Sequence, residues 1–311
     1  MKHLVLVGAC YLDTILTVPR FPAEDSKLRA TAVQVRRGGN CANSLEVLAQ
    51  LLAAGPHRLP PVKLHLVSCL PDAEAPATSR ILSSFGHGAG AAAVDFGYCL
   101  YREGHQEPAS SYIIRSAETG SRTIVNYNDL PEMTASEFER IVDAFAEHRD
   151  GDGGDDGDGV GCWWHFEGRI PETTLRCIRY LRQALSRCTI SVEVEKPGRE
   201  GLVELAAEAD VVFYSRSWAE PRGVSEGRSA IIEGQGAGAL VLPSREYIHH
   251  PASPFGDKIS VVDTVGAGDT FIAGMLYGLH ADCWSPEATL AFAVELATKK
   301  VQREGFAGLT V

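Results

Sequence analysis

Short apolar runs alternate along this chain with segments whose apolar residues recur every three or four positions, the rhythm of buried strands joined by helices. His3–Gly8 is one such run. It ends in glycine and predicts a central parallel strand buried on both faces. Val62–Val67, Trp163–Gly168, Thr189–Val194 and Asp210–Tyr214 predict further strands of this kind, and Ala230–Ile232 a shorter one. Helices are predicted over Leu45–Leu52, Ser79–Phe85, Arg176–Ser186, from Asp269 to about His280, and over Pro286–Arg303. Leu28–Val35 alternates apolar with polar residues and predicts a half-exposed strand. Gly97–Arg102, Ser110–Arg115 and Arg122–Asn128 are β-type runs separated by Gly or Pro turns, which predicts a small sheet set apart from the main one.

The densest chemistry lies in Val261–Met275, VVDTVGAGDTFIAGM. Val261 and Val262 predict the end of a short strand. Gly266-Ala267-Gly268 then forms a tight turn, and Asp269 opens a buried helix. Small residues at a helix N-terminus leave backbone N–H groups unpaired and unobstructed, which suits an anion such as phosphate. A carboxylate at the edge of that anion hole can accept a proton from a substrate hydroxyl as a phosphoryl group arrives. A capped helix with Asp in its first turn would look the same locally.

Two more stretches carry candidate ligands. Asp13 follows the first strand, where an acid at a strand's carboxyl end can bind hydroxyls, although turn aspartates are common. Arg37-Gly38-Gly39-Asn40 leads into Ala42-Asn43-Ser44, and Asn40 and Asn43 share one face of a helical turn. Such asparagines serve equally as helix caps or as polyol ligands.

Composition narrows the classes. The chain has 311 residues, 45% hydrophobic and 22% charged, enough for one large α/β domain. A formal net charge of −11 argues against nucleic acid or an anionic membrane as partner. Eight scattered cysteines without a C-x-x-C pair predict buried free thiols in a reducing compartment, hence a cytoplasmic protein, and no zinc site. Lys2 with LVLVGACYL has some likeness to a secretory or lipoprotein leader, but Asp13 arrives too soon and the basic flank is thin. Asp150–Gly159 has no glutamate at the twelfth position of a calcium loop, and predicts a flexible acidic insertion over 150–159.

The string Asp263-Thr264-x-Gly266-Ala267-Gly268-Asp269-Thr270-Phe271 closely resembles the C-terminal signature of the ribokinase family of carbohydrate kinases, of the phosphofructokinase-B type. Asp13, Glu24-Asp25-Ser26 and Arg37-Gly-Gly-Asn-x-Ala-Asn-Ser44 resemble its N-terminal signature. Gly120-Ser-Arg-Thr-Ile124, His165-Phe-Glu-Gly-Arg169 and Ser191-Val-Glu-Val-Glu-Lys-Pro197 resemble members acting on ketohexoses. The resemblance implies a single domain over 1–311, a three-layer α/β/α fold with a mainly parallel sheet and a β lid from about 14–36 and 97–128. It implies ATP-dependent phosphorylation of a ketohexose, with D-fructose to fructose 1-phosphate expected, Asp269 as base and the Gly266-Ala267-Gly268 N–H groups as anion hole. Sugar ligands would be Asp13, Gly39, Asn40 and Asn43, with Asp25 on the exchanged clasp of a homodimer through lid strands. ATP would be held by Arg122, Gly234, Gly236, Gly238, Gly266 and Gly268, and Ala293 or Ala297 would line the adenine pocket. Mg²⁺ is implied, with K⁺ left open. Glu193 or Glu195 would order water around the metal or be plain strand-edge acids, so its ligands stay unassigned. Lys299 and Lys300 are expected at the surface. Between Trp218 and Gly238 the chain has only about twenty residues for a crossover helix, a strand and the nucleotide turn. A kinase for another sugar or a nucleoside, and a sugar-binding relative without ATP, remain alternatives.

Overall fold

The computed structural model describes residues 2–55, 61–86, 93–151, 161–219, 230–234, 237–241, 247–252, 259–280 and 284–309. In chain order, β1 (Lys2–Val7) leads to β2 (Tyr11–Val18), β3 (Ala32–Gly38) and helix α1 (Asn40–Ala54). Then come β4 (Val62–Val67), β5 (Cys69–Leu70), α2 (Pro76–Ser83), β6 (Val94–Asp95) and β7 (Leu100–Tyr101). The hairpin β8 (Ser110–Ser116) and β9 (Arg122–Tyr127) precedes α3 (Ala135–Gly151), β10 (Cys162–Phe166), α4 (Pro171–Ala184), β11 (Thr189–Val194) and α5 (Leu202–Glu208). Next are β12 (Val211–Ser215), α6 (Arg216–Ala219), β13 (Ala230–Gly234), β14 (Ala237–Val241) and β15 (Tyr247–Pro251). Helices α7 (Ala267–His280) and α8 (Pro286–Val301) complete the order.

The main sheet runs β15-β14-β13-β12-β11-β10-β1-β4-β6, parallel from β13 to β6, with β14 and β15 added antiparallel at one edge. Alternation along β1 divides the core. Leu4 and Leu6 face one side with α1, α2, α7 and α8, while Val5 and Val7 face the other with α3, α4, α5 and α6. The result is three layers, α/β/α, as the sequence predicts. Among the described residues no helix is long and apolar enough to cross a membrane.

The second sheet, β3-β2-β8-β9, is a small separate one, and it is called the lid below after the role expected of it. Its register puts Asp13 beside Arg36 and Ser111, with Arg115 opposite Arg122, all on one face. The other face carries Val33, Val35, Tyr112, Val125 and Tyr127, all exposed.

Several expectations are corrected. The half-exposed strand is Ala32–Gly38 and not Leu28–Val35, because pairing with β2 continues to the glycine. Gly97–Arg102 does not join the lid, since Leu100–Tyr101 pairs with Cys69–Leu70 in a two-stranded ribbon. Val261 and Val262 are exposed coil, as no strand among the described residues pairs with them and the Val262 N–H bonds the Val301 carbonyl instead. Two of the cysteines expected as free thiols are bonded: Cys162 and Cys188 stand at the entries to the adjacent strands β10 and β11 and form a disulfide. Cys10, Cys41, Cys69, Cys99 and Cys177 are free. The acidic insertion lies outside the described residues from 152 onward, with α3 reaching Gly151.

Candidate active site

Two helix starts and the lid converge at the carboxyl ends of the central strands. Helix α1 begins after Gly39, whose φ of 102° lies in a region that glycine alone enters readily. A Cβ there would also stand 2.1 Å from the Ala9 carbonyl oxygen, so the turn is packed against the loop that follows β1. Helix α7 begins after Gly266, with φ 79° and the Phe306 ring where a Cβ would project. Apolar almost all round, α7 is buried from Asp269 to Gly278. The Ala267 N–H reaches the Thr264 carbonyl at 3.4 Å, while the first-turn N–H groups of Gly268 and Asp269 belong to the set that has no partner within the helix.

The two helices are joined by side chains. Asn43 Nδ2 donates to Asp269 Oδ2 at 2.6 Å, and Ser44 Oγ donates to the Asp269 carbonyl at 2.9 Å. Asp269 is buried. Burial pushes its carboxyl up to about 7, and Glu195 and Glu167 add to the rise, while the Asn43 hydrogen bond and Arg37 oppose it. Asp13 is buried at the lid face, so close that a Cβ on Gly38 would stand 2.3 Å from its Oδ2. Burial raises its carboxyl, and Ser111, Arg36 and Arg37 lower it. Asn40 Nδ2 donates to Glu193 Oε1 at 2.9 Å, tying α1 to β11.

Asp263, six positions before Asp269, has a different surround. Lys300 Nζ donates to its carbonyl and to Oδ2, both at 2.9 Å, and Arg36 Nη1 reaches Oδ2 at 3.2 Å. Burial alone would raise this carboxyl, but Lys300, the Val265 N–H and Arg36 hold it at about 2. The lid also grips this loop from β8 and β9. Arg115 donates to the Val262 carbonyl at 3.0 Å and Arg122 to Thr264 Oγ1 at 3.1 Å.

The structure therefore brings Asp13, Gly39, Asn40, Asn43, Asp269, the Gly266–Gly268 turn and Arg122 to one quarter of the molecule. Asp25 is not with them. It sits exposed in the loop between β2 and β3 with φ 56°, and no described hydrogen bond or ion pair joins it to these residues. Gly234 and Gly238 lie at the β13–β14 hairpin, paired with Ala237 and Glu233, and Gly236 lies outside the described residues.

Lys300 overturns a surface assignment, because its side chain is 0% exposed. A signal existed: Thr289, Ala293, Leu296 and Lys300 recur at helical spacing on the buried stripe of α8. Lys299, on another face, pairs with Glu295. Glu167 had no assigned role. It accepts the Ala9 N–H at 2.9 Å and lines a cleft at the carboxyl ends of β1, β4 and β10 with Gly8, Ser68, Asn128 and Arg169. Its place at the carboxyl end of β10 was the available hint.

Buried Asp13 and Asp269, the asparagines that start α1 and the Gly266–Gly268 turn thus meet at the carboxyl ends of the strands of an α/β/α fold. The model of the pfkB family carbohydrate kinases matches residues 224–309. Ketohexokinase of Mus musculus is 29% identical over 331 aligned residues, covering 99% of each chain. Among solved structures, Arabidopsis thaliana ribokinase complexed with ribose and ATP superposes with a TM-score of 0.72 at 20% identity, covering 100% of this chain and 96% of that one. The nucleoside kinase of Methanocaldococcus jannaschii gives 0.71 at 17% identity, covering 100% and 95%. The chain is thus similar along its whole length to a carbohydrate kinase, matches the pfkB family model over its C-terminal part, and shares the fold of these solved kinases.

Proposed function

We propose that this kinase phosphorylates a ketohexose, with D-fructose as acceptor and fructose 1-phosphate as product. The similarity to mouse ketohexokinase along the whole chain supports the acceptor class. The observation that carries the mechanism is Asp269, a buried carboxyl at the first turn of α7 whose proton is poised to exchange near pH 7.

In this reading Asp13 and Asn43, with the close backbone at Gly39, hold the sugar hydroxyls, and Asn40 is set in place by Glu193. Asp269 accepts the proton of the attacking primary hydroxyl. The N–H groups of the Gly266–Gly268 turn, with the Ala267 N–H turning from its long bond to the Thr264 carbonyl, meet the negative charge spreading over the transferring phosphoryl oxygens. Arg122 stands by on the lid, where its bond to Thr264 is replaceable by a phosphate oxygen. Gly234 and Gly238 lie on the nucleotide side.

The carboxylates of Glu167, Glu193 and Glu195 lie around the start of α1 and Asp269, and their hard oxygen donors suit Mg²⁺. No group of three or more such ligands is preassembled among the described residues, which suits an ion that keeps waters and phosphate oxygens. Bound Mg²⁺ neutralises phosphate charge. A K⁺ requirement is read by replacing KCl with choline chloride in the same assay. The exposed apolar face of Val33, Val35, Tyr112, Val125 and Tyr127 supports a homodimer through the lids. ATP as donor accords with a cytoplasmic setting.

Calorimetry of magnesium-ATP binding, with and without fructose, tests the proposal. Saturable ATP binding that tightens with fructose is expected. Fructose binding without ATP binding would contradict it. A panel of sugars and nucleosides assayed with one preparation then tests the acceptor, and a higher kcat/KM for another member would replace fructose.

A further inference from the structure

Arg37 is buried where β3 runs into α1, and every edge of its guanidinium is used. Nε donates to Ser84 Oγ at 3.1 Å, Nη1 to Asn43 Oδ1 at 3.1 Å, Nη2 pairs with Glu46, and the plane lies 4.3 Å from the Phe85 ring centre. The opposite end of the same Asn43 amide faces Asp269. An amide has one accepting end and one donating end, and a half-turn about its last bond exchanges them. A guanidinium only donates, so it tolerates only the oxygen end. With Oδ1 held by Arg37, the NH₂ group must face Asp269.

We propose that Arg37 is a positioning residue for phosphoryl transfer: it locks the Asn43 amide so that Asp269 meets an N–H donor and never a carbonyl oxygen. The inference rests on the reading of Asp269 as the general base. If the amide turned, Oδ1 would oppose the Asp269 carboxylate and favour its protonated form, which could donate to that oxygen but could not accept the substrate's proton. The lock therefore keeps Asp269 available as an acceptor. Glu46 balances the Arg37 charge, and Phe85 and Ser84 hold its plane. Other charges around Asp269 come from Glu167 beyond β10, Glu195 beyond β11 and Lys300 on α8. None of these touches the amide, so they cannot set its direction.

The test is the pH dependence of kcat and of the fructose KM for Arg37→Met and Arg37→Lys, each made alone and in the Asn43→Ala background. Alone, both move the acid limb of kcat upward, Arg37→Met by about one pH unit, which is about a tenfold loss below the limb. The fructose KM stays within about threefold. In the Asn43→Ala background Arg37→Lys, which keeps the charge, moves the limb no further, and Arg37→Met moves it by less than half its shift alone, because only the guanidinium's field remains to be lost. A uniform loss of kcat at every pH would overturn the lock and leave Arg37 a stabilising residue. An equal shift with and without Asn43 would also overturn it, since the guanidinium's field alone would then be the cause. If Arg37→Met fails to fold, Arg37→Lys carries the same comparison. The ¹³C shift of the Asp269 carboxyl, followed against pH, separates this inference from the general-base reading. If Asp269→Asn turns over like wild type, that reading fails, while movement of the carboxyl titration by Arg37→Met still reports the lock.

Discussion

Asp263 and Asp269 bracket one turn, yet they stand in opposite fields. Asp263 is clasped by Lys300 and by Arg36 from the lid, and its carboxyl is held at about 2. Asp269 is buried beside Glu195 and Glu167, and its carboxyl is pushed up to about 7. The difference lies in the neighbours, since the residue type and the helix end are shared. A carboxylate ionised at every ordinary pH can only anchor, and here it anchors the lid and α8 to the loop before α7. A carboxyl that changes state near neutrality can exchange a proton with substrate. That two like groups are driven apart by their surroundings is the ground on which Asp269, and not Asp263, is proposed as the base.

The same contrast fixes opposite pH dependences of stability. Asp263 is depressed below its ordinary 3.8, so the stability it contributes is present above about pH 4 and is lost as pH falls towards 2. Asp269 is raised, so the native state holds its proton more tightly than the unfolded chain does. Its contribution to stability therefore falls as pH rises from about 4 to about 7.

The largest effect is expected from Lys300→Met, which leaves the buried Asp263 carboxylate with Arg36 as its one charged partner. Urea unfolding at pH 7 should show a loss of about 3–5 kcal/mol. A loss below about 1 kcal/mol would remove the anchor role. The two aspartates are then set directly against each other by Asp263→Asn and Asp269→Asn. At pH 8 the first should lower stability and the second raise it, each by ~1–3 kcal/mol, because one removes a paired charge and the other an opposed one. At pH 4 the gain from Asp269→Asn should vanish, since the native carboxyl is then protonated. Changes of the same sign at pH 8 would break the contrast. The smallest change in stability belongs to Arg122→Ala on the exposed strand β9, within about 0.5 kcal/mol. Its kcat/KM for ATP should nonetheless fall about tenfold, with the wild-type advantage shrinking in high salt.

Much of this arrangement was legible in the chain. Val62–Val67 and Thr189–Val194 are strands over the very residues their apolar runs span. The Gly-Ala-Gly turn and the apolar helix after it are where small residues and continuous hydrophobicity put them. What escaped was lateral. Asn43 and Asp269 are 226 positions apart, and no periodicity announces that two helix starts will meet. Cys162 and Cys188 became partners only because β10 and β11 are neighbours in the sheet. Val261 and Val262 have strand-like side chains, but β preference needs a partner strand to act on, and none among the described residues pairs with them. Lys300 was misjudged by its charge, although its helical spacing placed it inside.

The most direct measurement is single-turnover transfer of the γ-phosphoryl group from ATP to fructose by wild type and Asp269→Asn, with fructose affinity measured in parallel. If Asp269 takes the hydroxyl proton, the variant should be slower by roughly 10²–10⁴ while its fructose affinity stays within about threefold. Equal losses of rate and affinity, or transfer at the wild-type rate, would contradict its role as the base.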